Sequence, residues 1–204
     1  MKENTKSYNI NIWGFNNPVE FIIKWSPLYS YPNEFKYNKI YDVLENKDSF
    51  IELFKWKNGT GDKISQKKMR VVLGFWEKID VLRELSNSFR YEKYFDWELF
   101  ENEFQPNKNS PIWTIFLLHL INRYEFPIFD QHVYRSYNFF KNGVIGELPL
   151  SSKKVYQIYK TEYKNWFNEI HENYDIVPKE MDESLFTFGR MLKGLKGYPI
   201  DIYS

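Results

Sequence analysis

The stretch PIWTIFLLHLINRYEFPIFDQHVYRSYNFFK, residues 111–141, decides how this chain is read. Residues 112–121 are almost wholly apolar, a link containing Pro127 follows, and Asp130 then opens a second run with helical patterning. Apart from Arg123 and Glu125, Asp130 is the only carboxylate or guanidinium in the stretch before Arg135. Proline disfavours helix in the residue before it, so Phe126 should be extended. Asp130 then falls where a helix should begin, its side chain able to accept from the amides of His132 or Val133. Those amides and the helix dipole favour its ionised form, while the apolar flank of Phe126, Ile128 and Phe129 disfavours it. A charge in this place is either a cap, worth roughly 1 kcal/mol, or a reagent.

Outward from this centre, the pattern is helical. Residues 105–111, QPNKNSP, form a turn-rich interruption. Before it, Asp96 can cap a helix through Phe104, with Trp97, Phe100 and Phe104 inward. Ser65 opens a long helical pattern to about Leu85, in which Met69, Val72, Phe75, Trp76, Ile79, Leu82 and Leu85 keep the spacing of one buried face. Residues 58–62, NGTGD, are a breaker. Short helices are expected over 18–25, 37–44 and 49–57, the last capped by Asp48 or Ser49. Residues 1–16 alternate weakly, which permits a short extended segment or strand. Past the break at 143–149, Ser151 or Ser152 starts a long amphipathic helix through Tyr174. Pro178 suits the start of a last helix carrying Met181, Leu185, Phe188 and Leu192. Long strands do not alternate with helices, so the expected class is all-α, folded as one compact helical unit over residues 1–204.

Composition narrows the function. The net charge over 204 residues is only +1, whereas proteins that coat nucleic acid are usually far more basic. Any DNA site must therefore be a local patch. The basic residues Lys63, Lys67, Lys68 and Arg70, and the pair Lys153 and Lys154, either approach a DNA backbone or simply solvate a face. Aromatic residues make up 20% of the chain while alanine is missing altogether. That bias follows A/T-rich coding, so the rings are not read as a base-stacking surface. Without cysteine there is no disulfide scaffold, iron–sulfur cluster or thiolate zinc site. Three scattered histidines lack ligand spacing, and neither a metal nor a cofactor is expected. His119, inside the apolar helix, reads as a satisfied core residue. The polar first residues lead into no secretion signal, and an apolar run of about ten residues is too short to span a bilayer. A cytoplasmic protein without a membrane anchor is expected.

The order of an apolar helix, a short proline-containing link and Phe129-Asp130-Gln131-His132-Val133-Tyr134-Arg135 resembles the centre of the helix-hairpin-helix (HhH-GPD) DNA glycosylases. There, a Val-Asp-Thr-His-Val-x-Arg type of segment follows a hairpin. The resemblance covers residues 105–140. Leu185, Gly189 and Arg190 also look like the closing helix of some members. It implies an all-α, two-lobed fold, with the essential aspartate falling on Asp130 at a helix start facing a pocket between the lobes. It implies a partner, duplex DNA, bound in a salt-sensitive way, and a base flipped from the stack before its glycosidic bond is hydrolysed.

Two departures shape the expectation. The family's hairpin reads approximately Leu-Pro-Gly-hydrophobic-Gly, its glycines letting backbone amides approach a phosphate. Here Asn107, Lys108, Asn109 and Ser110 occupy that place, forming either a degenerate phosphate nest or a plain loop. His132 and Arg135 are the further candidate DNA contacts, Arg135 alternatively bridging helices or steadying Asp130. Bifunctional members carry a lysine nucleophile at the start of the next helix. Ile112 stands there instead, and Lys108 is the nearby amine, which implies a monofunctional enzyme. The expected function is excision of a damaged or modified base, in repair or in defence against phage and other foreign DNA. The alternative, favoured by the missing glycines and near-neutral charge, is a non-catalytic helical module that binds DNA or protein.

Overall fold

The computed structural model describes residues 17–59, 63–106 and 110–195, all of them in helices, turns and irregular segments, without a strand among them. The expected extended segment at 1–16 lies outside the described residues. In chain order the helices are α1 (Pro18–Trp25), α2 (Lys47–Lys57), α3 (Gln66–Trp76), α4 (Ile79–Glu92), α5 (Trp97–Phe104), α6 (Pro111–Ile121), α7 (Gln131–Asn142), α8 (Ser152–Ile158), α9 (Lys164–Asn173) and α10 (Pro178–Gly194). No described helix is long and apolar enough to cross a membrane.

Local chemistry explains most of the helix starts. Asn17, Ser65, Asp96 and Ser151 each accept an amide of the first turn with a side-chain oxygen, supplying a partner that the helix cannot provide itself. Proline at the beginning of α1, α6 and α10 carries no amide to satisfy. Four expectations are corrected. The helix read over 37–44 is a 3₁₀ segment at Glu34–Tyr41. The cap of α2 is Asn46, which accepts from the amides of Asp48 and Ser49, rather than either of those residues. The single helix expected from Ser65 to Leu85 is interrupted at residues 77–78, where Lys78 leaves helical geometry (φ −109°, ψ 24°) and donates to the Glu103 carbonyl at 2.7 Å. The helix expected through Tyr174 contains a π-turn at Tyr159–Tyr163.

The packing divides into two compact units, and none of the four boundaries along the chain falls at the glycine loop near residue 60. One comprises residues 30–128 and 149–164. Its axis is α6, where every residue from Trp113 to Ile121 is buried. A helix apolar all round can lie only inside a core. Phe54 packs against Phe75, Trp113 and Phe116 at 5.4–5.8 Å between ring centroids. Burying each such ring stabilises the fold by roughly 1.5–3 kcal/mol. His119 is only 1% exposed, and both ring nitrogens are used. Nδ1 donates to the Phe126 carbonyl, which leaves Nε2 to accept the Tyr37 hydroxyl, each at 2.8 Å. The expected satisfied core histidine is what the fold contains.

The other unit comprises residues 1–29, 129–148 and 165–204. Here α10 packs along α7 and against α1. Phe21, Phe140 and Phe188 form a mutual cluster with centroids 5.1–5.5 Å apart. This unit carries Asp130.

Candidate active site at the start of the Asp130 helix

Asp130 has extended backbone (φ −155°, ψ −174°), and its Oδ1 accepts from the amides of His132 at 2.8 Å and Val133 at 3.0 Å. Its own carbonyl accepts from the Tyr134 amide, closing the first turn of α7. The preceding Phe129 is 1% exposed, which anchors the carboxylate from behind. Just upstream, the link is tied by the π-turn. Tyr159 donates its hydroxyl to the Pro127 carbonyl and Tyr163 donates to the Ile128 carbonyl, both at 3.3 Å. Both rings are fully buried. A π-turn adds one residue to a helical turn and so rotates the following side chains. Sequence patterning hides it, because a one-residue slip barely disturbs the apolar stripe.

The side chains after Asp130 form a connected polar group. Arg135, 1% exposed, donates from Nε and from its terminal nitrogen to the two oxygens of Glu147 at 3.3 and 2.9 Å. Its other terminal nitrogen lies 3.1 Å from Nδ1 of His132. A guanidinium only donates, so Nδ1 accepts, and the neutral ring keeps its proton on Nε2. Burial, opposed by the Asp130 charge and reinforced by Arg135, Lys193 and Arg190, pushes His132 below the usual imidazole value. The ring also meets Phe186 edge-on at 5.0 Å. Gln131 donates its amide to Glu147 as well.

Two glycines let Glu147 reach Arg135. Gly143 ends α7 in the left-handed region at φ 70°, where a side chain would be strained. A Cβ on Gly146 would lie 2.5 Å from the Asn138 amide nitrogen, so a side chain there would displace that amide. Asn138 in turn holds the Val144 carbonyl at 2.7 Å.

The structure therefore brings Asp130, His132 and Arg135 together and adds Glu147, which sequence reasoning missed. A signal for it existed. Arg135 shares the first two turns of α7 with the buried Val133, Ser136 and Tyr137, and buried arginines are almost always paired. Glu147 is the first carboxylate after it in the chain. Arg135 is an internal strut here, since a guanidinium enclosed to 1% exposure has no face to offer a phosphate. Ser110 is exposed at the start of α6, in the other unit, and its carbonyl accepts from the Trp113 and Thr114 amides. Asn107, Lys108 and Asn109 lie outside the described residues.

Compared with known proteins, the chain matches no family model, no curated protein sequence and no solved structure.

Proposed function

We propose that this chain is a divergent, monofunctional DNA N-glycosylase of helix-hairpin-helix type, with Asp130 as its catalytic carboxylate. The observation that carries this reading is how heavily the position of Asp130 is determined. Two amides hold Oδ1, the fully buried Phe129 precedes it, and a buried guanidinium fixes the histidine two residues on. A helix cap contributes roughly 1 kcal/mol and needs none of this support. Burying a guanidinium costs several kcal/mol before its partners offset it. Such investment around one carboxylate suits a charge that must stand at a fixed point. The all-helical fold and its division into two compact units also support the reading.

The chemistry follows from that carboxylate. A base turned out of the duplex loses its stacking, at a cost of a few kcal/mol that is least for a damaged or mispaired base. As the C1′–N bond breaks, its electron pair leaves with the base, which takes up a proton. Positive charge develops over C1′ and the ring oxygen. Asp130, fixed in advance, stabilises that charge by Coulomb attraction without reorganising. Water then adds to C1′ and gives up a proton, for which the same carboxylate is the acceptor. The products are the free base and an abasic sugar. Ile112 stands where a lysine nucleophile would be needed, so the strand stays intact. Asn107, Lys108, Asn109, Ser110 and the Nε2 proton of His132 are the proposed DNA contacts.

The test is incubation of the purified chain with duplexes that each carry one uracil, alkylated purine, oxidised guanine or hypermodified pyrimidine. A glycosylase yields strand breaks after alkali and none before it. Binding that weakens with salt yet leaves no abasic product on any duplex would favour the non-catalytic DNA-binding module instead.

A further inference from the structure

The unit built around α6 holds a second feature that the base-excision reading does not use. A cleft of about 550 Å³ opens beside the C-terminal ends of α4 and α6, which Ser86 ties together by donating to the Ile121 carbonyl at 3.2 Å. That volume falls within the roughly 300–1,000 Å³ of small-molecule sites. Its floor is apolar, from Phe89 and Leu120, and among the described residues its charged lining consists of Arg90, Lys93 and Arg123, without a carboxylate. None of these three cations forms an ion pair among the described residues. On a chain whose net charge is +1, three such cations in one cleft are a marked local concentration.

The aromatic side of the cleft is equally specific. Tyr41 and Tyr124 are 76% and 58% exposed. The Arg123 guanidinium carbon lies 4.7 Å from one ring centre and 5.0 Å from the other. Arg123 also donates to the Tyr124 hydroxyl at 2.9 Å. Helix dipoles favour cations at the ends of α4 and α6, but they do not account for two tyrosines held open against a guanidinium. Planar π-faces backed by an arginine are the surface on which nucleobases stack.

On one side, where Tyr41 and Arg90 border both hollows, the lining changes character. The adjoining recess of about 390 Å³ carries Asp42 and Glu45, and its Arg83 is neutralised by Asp80 at 2.8 Å and Glu45 at 3.5 Å. A phosphodiester chain continuing that way would meet carboxylates, so the geometry favours a compact anion over a long strand.

We propose that this cleft binds a nucleoside phosphate, with its phosphates on Arg90 and Lys93 and its base stacked on the platform of Tyr41, Arg123 and Tyr124. The proposal uses none of the residues of the Asp130 site, so it stands or falls separately from the glycosylase reading. It is tested by calorimetric titration of the full chain with ATP, GTP, CTP, UTP, inorganic tripolyphosphate and a single-stranded dT hexamer. At least one nucleotide should bind roughly tenfold more tightly than tripolyphosphate, with the base supplying the difference. Tyr41→Ala with Tyr124→Ala should erase that preference, and Arg90→Glu with Lys93→Glu should abolish binding of both. These side chains are exposed or at the cleft edge, and an unchanged melting temperature verifies folding. Should the charge-reversed protein melt early, Arg90→Gln with Lys93→Gln replaces it. The proposal is overturned if no nucleotide binds at millimolar concentration or if tripolyphosphate binds as tightly as every nucleotide. Binding of the hexamer alone, dependent on these residues, would overturn it too and reassign the cleft to a strand.

Discussion

Gly189 of α10 lies directly against the carbonyl of His132 in α7: a Cβ built on it would sit 1.9 Å from that oxygen. One turn away, Ser136 donates to the Leu185 carbonyl at 2.5 Å, so the two helices meet backbone to backbone. This explains the Leu185–Gly189 spacing noted in the sequence. It also makes α10 the wall that holds the start of α7 in place. Gly189→Ala should cost at least the roughly 1–3 kcal/mol of ordinary overpacking, because the obstacle is backbone and cannot rotate away. Urea denaturation of the two proteins measures the difference.

The ion pair of Arg135 and Glu147 is asymmetric, with side chains 1% and 34% exposed. Glu147→Leu leaves a guanidinium buried on His132 alone and should cost about 3–5 kcal/mol. Arg135→Met leaves a carboxylate that water can still reach and should cost less. The double variant should recover part of the loss, giving a coupling of about 1–3 kcal/mol in a double-mutant cycle of urea midpoints.

His132 gives the site a pH dependence of definite sign. Its folded value lies below the ordinary 6.5, chiefly through burial, so between those two values the unfolded chain binds more protons than the folded one. Stability then rises with pH across that window. Its contribution is complete above about pH 6.5 and is lost as pH falls through the folded value. Relative to His132→Gln, the parent protein should lose stability from pH 7 towards pH 5. Denaturation midpoints of the pair across that range check it.

Tyr37→Phe removes the hydroxyl that satisfies Nε2 of His119 in the core. A buried acceptor left without its donor should lower stability by about 1–3 kcal/mol. The proposed base excision, assayed with the variant below its melting temperature, should be unchanged.

What the sequence made legible follows from the range of each signal. Caps and prolines act within four residues, so Ser65, Asp96, Asp130, Ser151 and Pro178 locate helix starts well. Apolar periodicity persists across a short break, so residues 77–78 and the π-turn at Tyr159–Tyr163 stayed hidden inside apparently continuous helices. Asn46 was missed as a cap because Asp48 and Ser49, residues of the same capping chemistry, follow it directly. At the site, Asp130 was evident from local order alone. Its support from Glu147 acts through Arg135, and only the burial of that arginine hints at a carboxylate partner 12 residues on. The charge of the second cleft was diluted in the same way, because Arg90 and Arg123 lie 33 residues apart in a nearly neutral chain.

Asparagine caps a helix about as well as aspartate but carries no charge, so Asp130→Asn separates structure from catalysis. The decisive measurement is the single-turnover rate of abasic-site formation by this variant and the parent protein, on a duplex the parent processes. The catalytic account predicts a melting temperature within about 2 °C, close to the effect of 0.5 kcal/mol in a chain of this size, with the rate reduced at least a hundredfold. Equal rates in two equally stable proteins would contradict it and leave Asp130 as a cap.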